Sequence, residues 1–220
     1  MAPSGNALPL WLQALAWTAA IAVLLRQAGA LRAHIRAATP DTLRVLLVAT
    51  LALAAMRWFN TAALQGVMLH FLGATIATLL FGAGVACWAM AAVSLSGVLL
   101  GAAWQGWAAD VLVTGALPIA VTAVASRAAL RWAPRNIVVY VMLNAFAAAA
   151  LAMAASMLAK AAVTAWLGGR TVDAYLTATP LLMFAEAFFS GTVMALIVVY
   201  RPHWCTSFDD RAYLWPQAPM

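Results

Sequence analysis

The stretch IVVYVMLNAFAAAALAMAASMLAKAAVTA, residues 137–165, contains a single charged side chain, Lys160, in 29 positions. A helix needs about 20 predominantly apolar residues to cross the hydrocarbon core of a lipid bilayer. This stretch exceeds that length and is too apolar for the surface helix of a soluble domain. It therefore predicts a membrane-spanning helix.

Six further apolar stretches accompany it. The predicted spans cover residues 8–25, 43–59, 64–81, 84–100, 108–126, 137–165 and 179–200. The third and fourth are separated only by Phe81-Gly82-Ala83-Gly84, so we expect a tight hairpin there. The pattern predicts an all-α integral membrane protein with six to seven transmembrane helices in a single domain, residues 1–220. Six spans with one re-entrant segment is the alternative to seven spans.

The composition excludes a soluble fold. Hydrophobic residues make up 66% of the chain, charged residues 8%, and the mean hydropathy is +0.95. Such a chain lacks the polar surface to cover a globule in water. The net charge of +6 suggests a nucleic-acid ligand, but the basic side chains lie next to the predicted spans, where anionic lipid attracts them. We expect a lipid membrane and no nucleic acid as partner.

The basic residues are unevenly divided between the two sides of the predicted bundle. With seven spans, nine of the twelve Lys and Arg residues fall on one side: Arg26, Arg32, Arg36, Arg44, Arg127, Arg131, Arg135, Arg201 and Arg211. The positive-inside rule assigns that side to the cytoplasm. The amino terminus is therefore predicted to lie outside and the carboxyl terminus in the cytoplasm.

Four ionisable side chains fall within the predicted spans, where such groups are costly unless they face protein or water. They are His70, Asp110, Lys160 and Glu186. His70 shares a predicted helical face with Gly66, Gly73 and Ala77, which a partner helix can approach closely. The imidazole is either a ligand for an ion such as Co²⁺, Ni²⁺, Cu²⁺ or Zn²⁺ or a hydrogen-bonding group across a helix interface.

Asp110 begins a polar stripe that continues through Thr114, Pro118 and Thr122. It is either hydrated near the outer end of its span or an orienting partner for the His70 ring. Met68, two residues before His70, offers a soft sulfur ligand, although methionine also fills apolar gaps.

Glu186 lies on a predicted face with Thr179, Met183, Ser190 and Met194. It is either part of a cation site or proton relay, or it makes a structural bond to Lys160, Asn144 or a backbone group of the sixth span. Lys160 itself is expected to be interfacial, with its side chain extended toward the headgroups.

Sequence signatures of soluble enzymes are missing. The chain has no Gly-rich phosphate loop with Lys, no Cys-x-x-Cys, no His-Glu-x-x-His and no nucleophile elbow. We therefore expect no enzyme and no covalently bound cofactor. Any active transport would take its energy from a partner or an ion gradient.

Two stretches resemble a known family. Leu69-His70-Phe71-Leu72-Gly73-Ala74, after Gln65-Gly66, is similar to the His-Leu-Leu-Gly-Gly region of CbiM/NikM-like subunits, which capture cobalt or nickel in energy-coupling factor transporters. Residues 186–191, continued through 198–202, are similar to the last span of that family. A weaker likeness places Trp107–Leu112, with Gly115, at the family's Gly-x-Asn segment.

The resemblance implies a permease in the bacterial cytoplasmic (inner) membrane that imports a transition-metal ion of the Co²⁺ or Ni²⁺ class. It also implies an assembly with cytoplasmic ATPase subunits and a coupling transmembrane subunit. His70 matches the family's metal-binding histidine. The predicted metal site therefore consists of His70, with Asp110, Met68 and Glu186 as further candidates.

The first residues depart from the family pattern. Members that bind cobalt or nickel begin with Met-His and use the terminal amine and that imidazole as ligands, whereas this sequence begins Met1-Ala2-Pro3-Ser4. Either the start is misassigned, or another ligand set is used, or the substrate differs. The alternative function is a non-transporting membrane scaffold or sensor subunit that binds partner proteins.

Overall fold

The computed structural model describes residues 8–57, 61–64, 67–69, 71–209 and 213, with 61–64 and 67–69 described by their backbone only. The helices are α1 Leu10–Ala37, α2 Pro40–Met56, α3 Ala74–Leu99, α4 Trp104–Trp132, α5 Ile137–Trp166 and α6 Val172–Tyr200. A short antiparallel hairpin, β1 Thr61–Leu64 and β2 Val67–Leu69, lies between α2 and α3 in the chain. The described part of the chain is thus almost entirely helical.

Five of the helices within the described residues are long and apolar enough to cross a membrane: α1, α3, α4, α5 and α6. α2 is shorter, with 17 residues. Its first turn begins at Pro40 after Thr39, whose hydroxyl accepts a hydrogen bond from the N–H of Thr42. This is a regular helix start, because proline needs no hydrogen-bond partner in the first turn and threonine caps a free N–H group.

α3 is the centre of the bundle. In its most apolar 18-residue stretch 72% of the residues are buried, against 39% for α4, α5 and α6 and 17% for α1. Small residues such as Ala77, Ala86 and Ala91 let neighbouring helices approach α3 closely. The other helices surround α3 and expose leucine, valine and phenylalanine side chains on their outer faces, as expected for contact with lipid.

α3 reverses direction at Gly82. The backbone there is non-helical, with φ 78° and ψ 158°, a conformation that favours glycine. Residues near both ends of α3 lie against the same end of α2, since a Cβ atom at Gly73 would meet Leu53 and one at Gly97 would lie 3.4 Å from the Arg57 side chain. A straight helix of 26 residues would place its ends about 39 Å apart. The chain therefore turns back at Gly82, as the sequence predicts for Phe81–Gly84.

The predicted span over residues 64–81 is wrong in its first part. β2 occupies Val67–Leu69, and helix begins only at Ala74. Gly73 has φ 64°, so the backbone before the helix is left-handed. Gly73 therefore does not share a helical face with Ala77 as the sequence predicts, and Gly66 and His70 of that predicted face lie outside the described residues. Short apolar runs allow either strand or helix, and periodicity alone does not separate them.

The segment after α6 folds back over the turn of α3. The N–H groups of Thr206 and Ser207 donate to the carbonyls of Leu80 and Leu79 over 3.0 and 3.3 Å. The Ser207 hydroxyl also donates to Leu79 O at 2.8 Å and lies 2.6 Å from the hydroxyl of Tyr140 on α5. These bonds satisfy carbonyl groups that the break at Gly82 leaves without helical partners.

Candidate functional site

Two of the four predicted metal-site residues fall in the least described part of the chain. His70 lies outside the described residues. Met68 belongs to β2, of which only the backbone is described. Their proposed contacts with a metal ion therefore stay predictions.

The three residues that follow His70 are each held by a neighbouring helix. The ring of Phe71 packs against Phe189 of α6 with a centroid distance of 5.5 Å. The N–H of Leu72 donates to one carboxylate oxygen of Glu186 at 2.9 Å, and the N–H of Gly73 donates to the other at 2.8 Å. α6 therefore fixes this segment through a ring contact and two hydrogen bonds.

Glu186 sits at the midpoint of α6, fourteen residues from either end, and is 1% exposed. A buried carboxylate is costly unless it is hydrogen-bonded or paired with opposite charge. Here both oxygens accept backbone N–H groups at the start of α3, where the helix dipole is positive. The backbone partners belong to the segment before α3, not to the sixth predicted span. Of the five residues predicted to share a face of this helix, Thr179, Glu186, Ser190 and Met194 are buried and Met183 is partly buried.

Gly73 makes the turn into α3. Its φ of 64° is unfavourable for residues with a side chain, and a Cβ atom at this position would overlap the side chain of Leu53 on α2. The segment is thus confined between α2 on one side and α6 on the other. Gly73 is recognisable from the sequence as a small residue, whereas Leu53 is not, because nothing in an apolar run marks one leucine as the contact.

Asp110 on α4 forms an ion pair with Arg57, which follows α2, with 2.6 Å between Arg57 Nη2 and Asp110 Oδ2. Their side chains are 17% and 24% exposed. Lys160 of α5 lines the same cavity of about 520 Å³ as Asp110, and the charges of both Asp110 and Arg57 act on it. Lys160 thus lines a largely apolar cavity beside Asp110, where the sequence predicted a side chain extended toward the headgroups.

The metal-ligand role predicted for Asp110 stays a prediction, and the observed partner of its carboxylate is Arg57. One of its oxygens is already bound by a guanidinium group, and the nearby ammonium of Lys160 repels a divalent cation. This ion pair was not predicted from the sequence. The signal that could have indicated it is the presence of opposite charges, Arg57 and Asp110, near the outer ends of two predicted spans. The carboxylate neutralises two cations that would otherwise be costly to bury.

α4 and α5 both contain a stretch of π-helix, Val111–Ala116 and Tyr140–Ala147. The stretch in α4 ends just before Pro118, which cannot donate a backbone hydrogen bond. Further along the polar stripe of α4, the hydroxyl groups of Thr122 and Thr75 share a hydrogen bond of 2.9 Å. The stripe therefore connects α4 to the first half of α3.

No group of three or more His, Cys, Asp or Glu side chains suited to a metal ion occurs within the described ranges. Those ranges do not include His70. What the described residues do provide is a buried, anchored segment that follows His70 directly, together with a polar cluster of Arg57, Asp110 and Lys160.

The helices and the segment that leads into the middle of the bundle define a multi-pass α-helical membrane protein. Residues 4–204 match the family model for the cobalt uptake substrate-specific transmembrane region, CbiM. The chain belongs to the CbiM family, which consists of transport components and not of enzymes. No curated protein and no solved structure matched the chain.

Proposed function

We propose that this protein is the substrate-capture permease subunit of an energy-coupling factor type ABC transporter and that it imports a transition-metal ion of the Co²⁺ or Ni²⁺ class. The family match supports cobalt uptake. The observation that carries the assignment of a site is the pair of hydrogen bonds from Leu72 and Gly73 to Glu186, because they hold the chain immediately after His70.

The anchored segment resembles the interrupted helices from which many transporters form their substrate sites. The first half of α3 starts at the level of the middle of α6, since Gly73 bonds to the central residue of that helix. Irregular backbone at this depth is tolerated only where protein or a cavity surrounds it, and substrate sites often lie at such points. His70 is three positions before Gly73 and is the proposed ligand.

The other candidates receive different roles. Glu186 is a positioning residue, because both of its oxygens are engaged by backbone groups. Asp110 belongs to the ion-paired cluster with Arg57. Met68 stays a candidate ligand next to His70. The mechanism is non-covalent capture followed by reorientation of the bundle, driven by partner ATPases in the cytoplasm through a coupling transmembrane subunit.

Metal binding by the purified full-length protein tests the site. We expect stoichiometric binding of Co²⁺ or Ni²⁺ in equilibrium dialysis, and its loss in His70→Ala. His203→Ala is the matched control and should leave binding unchanged. His203 follows the carboxyl end of α6, whereas the segment after His70 bonds to the middle of that helix. Retained binding in His70→Ala would reject the site.

Absence of binding for every divalent ion tested would favour the scaffold or sensor function instead. Co-purification then separates the two functions further. A transporter subunit should bring cytoplasmic ATPase subunits and a coupling membrane subunit with it, and its host cells should accumulate cobalt or nickel faster. A scaffold would retain partner proteins without changing metal uptake.

The orientation, with the amino terminus outside and the carboxyl terminus in the cytoplasm, is part of the proposal. Asp173 and Arg44 are exposed residues near the starts of α6 and α2. In intact cells, a membrane-impermeant maleimide should label Asp173→Cys and should label Arg44→Cys only after the membrane is opened. The reverse pattern would invert the topology.

A further inference from the structure

A cleft of about 790 Å³ lies between α2 and α6. One wall is a row on α2 that includes Val45, Ala49 and Ala52, and the other is a row on α6, Phe189, Val193 and Ile197. The spacing of three or four residues places each row on a single helix face. Residues of the first half of α3 close the cleft from behind.

The cleft has the depth of one membrane leaflet. It is lined on α2 from Asp41 to Met56 and on α6 from Phe189 to Arg201 just beyond the helix, which at 1.5 Å per residue corresponds to about 22 Å and 18 Å. Half of a bilayer with its headgroups is about 20 to 22 Å thick. The cleft therefore extends from the headgroup level to near the middle of the membrane.

The polarity of the cleft changes along this depth. Its inner part is formed by side chains such as Leu53, Met56 and Phe189, whereas Arg44 and Arg201 line its mouth. The Arg201 guanidinium lies 5.9 Å from the ring centroid of Trp204, which keeps it at the mouth. Arg44 pairs with Asp41 at 3.1 Å, but both side chains are more than three-quarters exposed, so this pair is weak and exchangeable.

We propose that this cleft binds an anionic phospholipid, with its acyl chains between α2 and α6 and its phosphate between Arg44 and Arg201. A molecule with a negative head and an apolar tail matches a cleft that is basic at one end and apolar along the rest. An apolar helix of another protein subunit would fill the apolar part but leave Arg44 with only its exposed pair to Asp41 and add no counter-charge for Arg201. The charge at the mouth therefore favours the lipid.

Native mass spectrometry of the full-length protein in detergent tests the proposal. The probes are phosphatidylglycerol and, as a neutral comparison, phosphatidylcholine with the same acyl chains. Arg44→Gln with Arg201→Gln should weaken phosphatidylglycerol binding roughly 25-fold, because each arginine contributes about fivefold. Phosphatidylcholine should bind the unmodified protein as weakly as phosphatidylglycerol binds this double variant.

Arg131→Gln is the matched control, since Arg131 also stacks near a tryptophan, 5.8 Å from the ring centroid of Trp132, but at the end of α4. Its lipid binding should equal that of the unmodified protein. Ala49→Trp fills the cleft and should remove binding of both lipids. If the Ala49→Trp variant does not fold, the arginine variants still test the proposal, because both arginines are at exposed positions.

Unchanged phosphatidylglycerol binding in the double arginine variant would overturn the proposal. Equal binding of the two lipids by the unmodified protein would overturn it as well. A protein subunit that crosslinks to Ala49→Cys in the presence of excess phosphatidylglycerol would assign the cleft to a helix instead.

Discussion

The carboxylate of Glu186 accepts a 2.8 Å hydrogen bond from the backbone N–H of Gly73, a residue 113 positions earlier in the chain. This bond joins the midpoint of α6 to the start of α3. Because Leu72 donates to the other carboxylate oxygen, a shift of α6 along its axis must either carry the segment after His70 with it or break both bonds. The central acid of α6 is therefore placed to couple helix movement to the proposed site.

Glu186→Gln should destabilise the protein by about 2 kcal/mol or more. A carboxylate accepts both N–H groups, whereas a glutamine side chain has one oxygen and directs an NH₂ group at the second donor. The measurement is the thermal unfolding midpoint in detergent. Asp173→Asn, an acid-to-amide change at an exposed position in the first turn of the same helix, should lower the midpoint much less, because it loses only a dipole interaction of at most about 1 kcal/mol. An unchanged midpoint in Glu186→Gln would contradict the role of both oxygens.

Gly73→Ala should be strongly destabilising, because alanine at φ 64° is strained by about 1 to 2 kcal/mol and its Cβ meets Leu53. Adding Leu53→Ala removes the overlap but not the backbone strain. The double variant should therefore regain part of the metal binding and of the unfolding midpoint that Gly73→Ala loses.

Gly29→Ala is the control for the glycine substitution. Gly29 lies within α1, and no neighbouring atom lies within 4 Å of the position that an alanine Cβ would take there. Alanine should therefore be neutral or stabilise the helix by up to about 1 kcal/mol. If adding Leu53→Ala to Gly73→Ala restores neither metal binding nor the unfolding midpoint, then the contact with α2 does not confine the segment after His70.

The long apolar helices were predictable because membrane spans have a strong signal in length and composition. The turn was predicted at Phe81–Gly84, since glycines between two apolar runs mark a reversal. The strands at Thr61–Leu64 and Val67–Leu69 were not, because a short apolar run fits strand and helix equally. Glu186 was predicted to lie within a span and is buried there, but its partners are backbone N–H groups, which every residue except proline carries and no sequence pattern reveals.

The ion pair between Arg57 and Asp110 should be coupled by about 1 to 3 kcal/mol in a double-mutant cycle of unfolding free energies. Asp110→Asn should cost more stability than Arg57→Gln, because it leaves two cations, Arg57 and Lys160, without the carboxylate. The exposed pair of Asp41 and Arg44 provides the comparison, with a coupling of at most about 1 kcal/mol.

The same variants decide whether Asp110 binds the substrate. Asp110→Asn should keep stoichiometric Co²⁺ binding at temperatures well below its unfolding midpoint. Loss of Co²⁺ binding with an unchanged unfolding midpoint would instead make Asp110 a ligand and remove it from the structural cluster.

Tyr140→Phe should loosen the segment that follows α6. The Tyr140 hydroxyl lies 2.6 Å from Ser207 Oγ and 3.0 Å from Cys205 Sγ, and the Cys205 thiol donates to Leu79 O. Loss of the hydroxyl should cost about 1 kcal/mol and so raise the open population of the segment about fivefold.

Alkylation of Cys205, which is 3% exposed, reports that opening when measured in a Cys87→Ala background. Tyr200→Phe, at a site that is 73% exposed, should leave the alkylation rate unchanged. Equal acceleration by both tyrosine substitutions would show that the hydroxyl of Tyr140 does not hold the segment on α3.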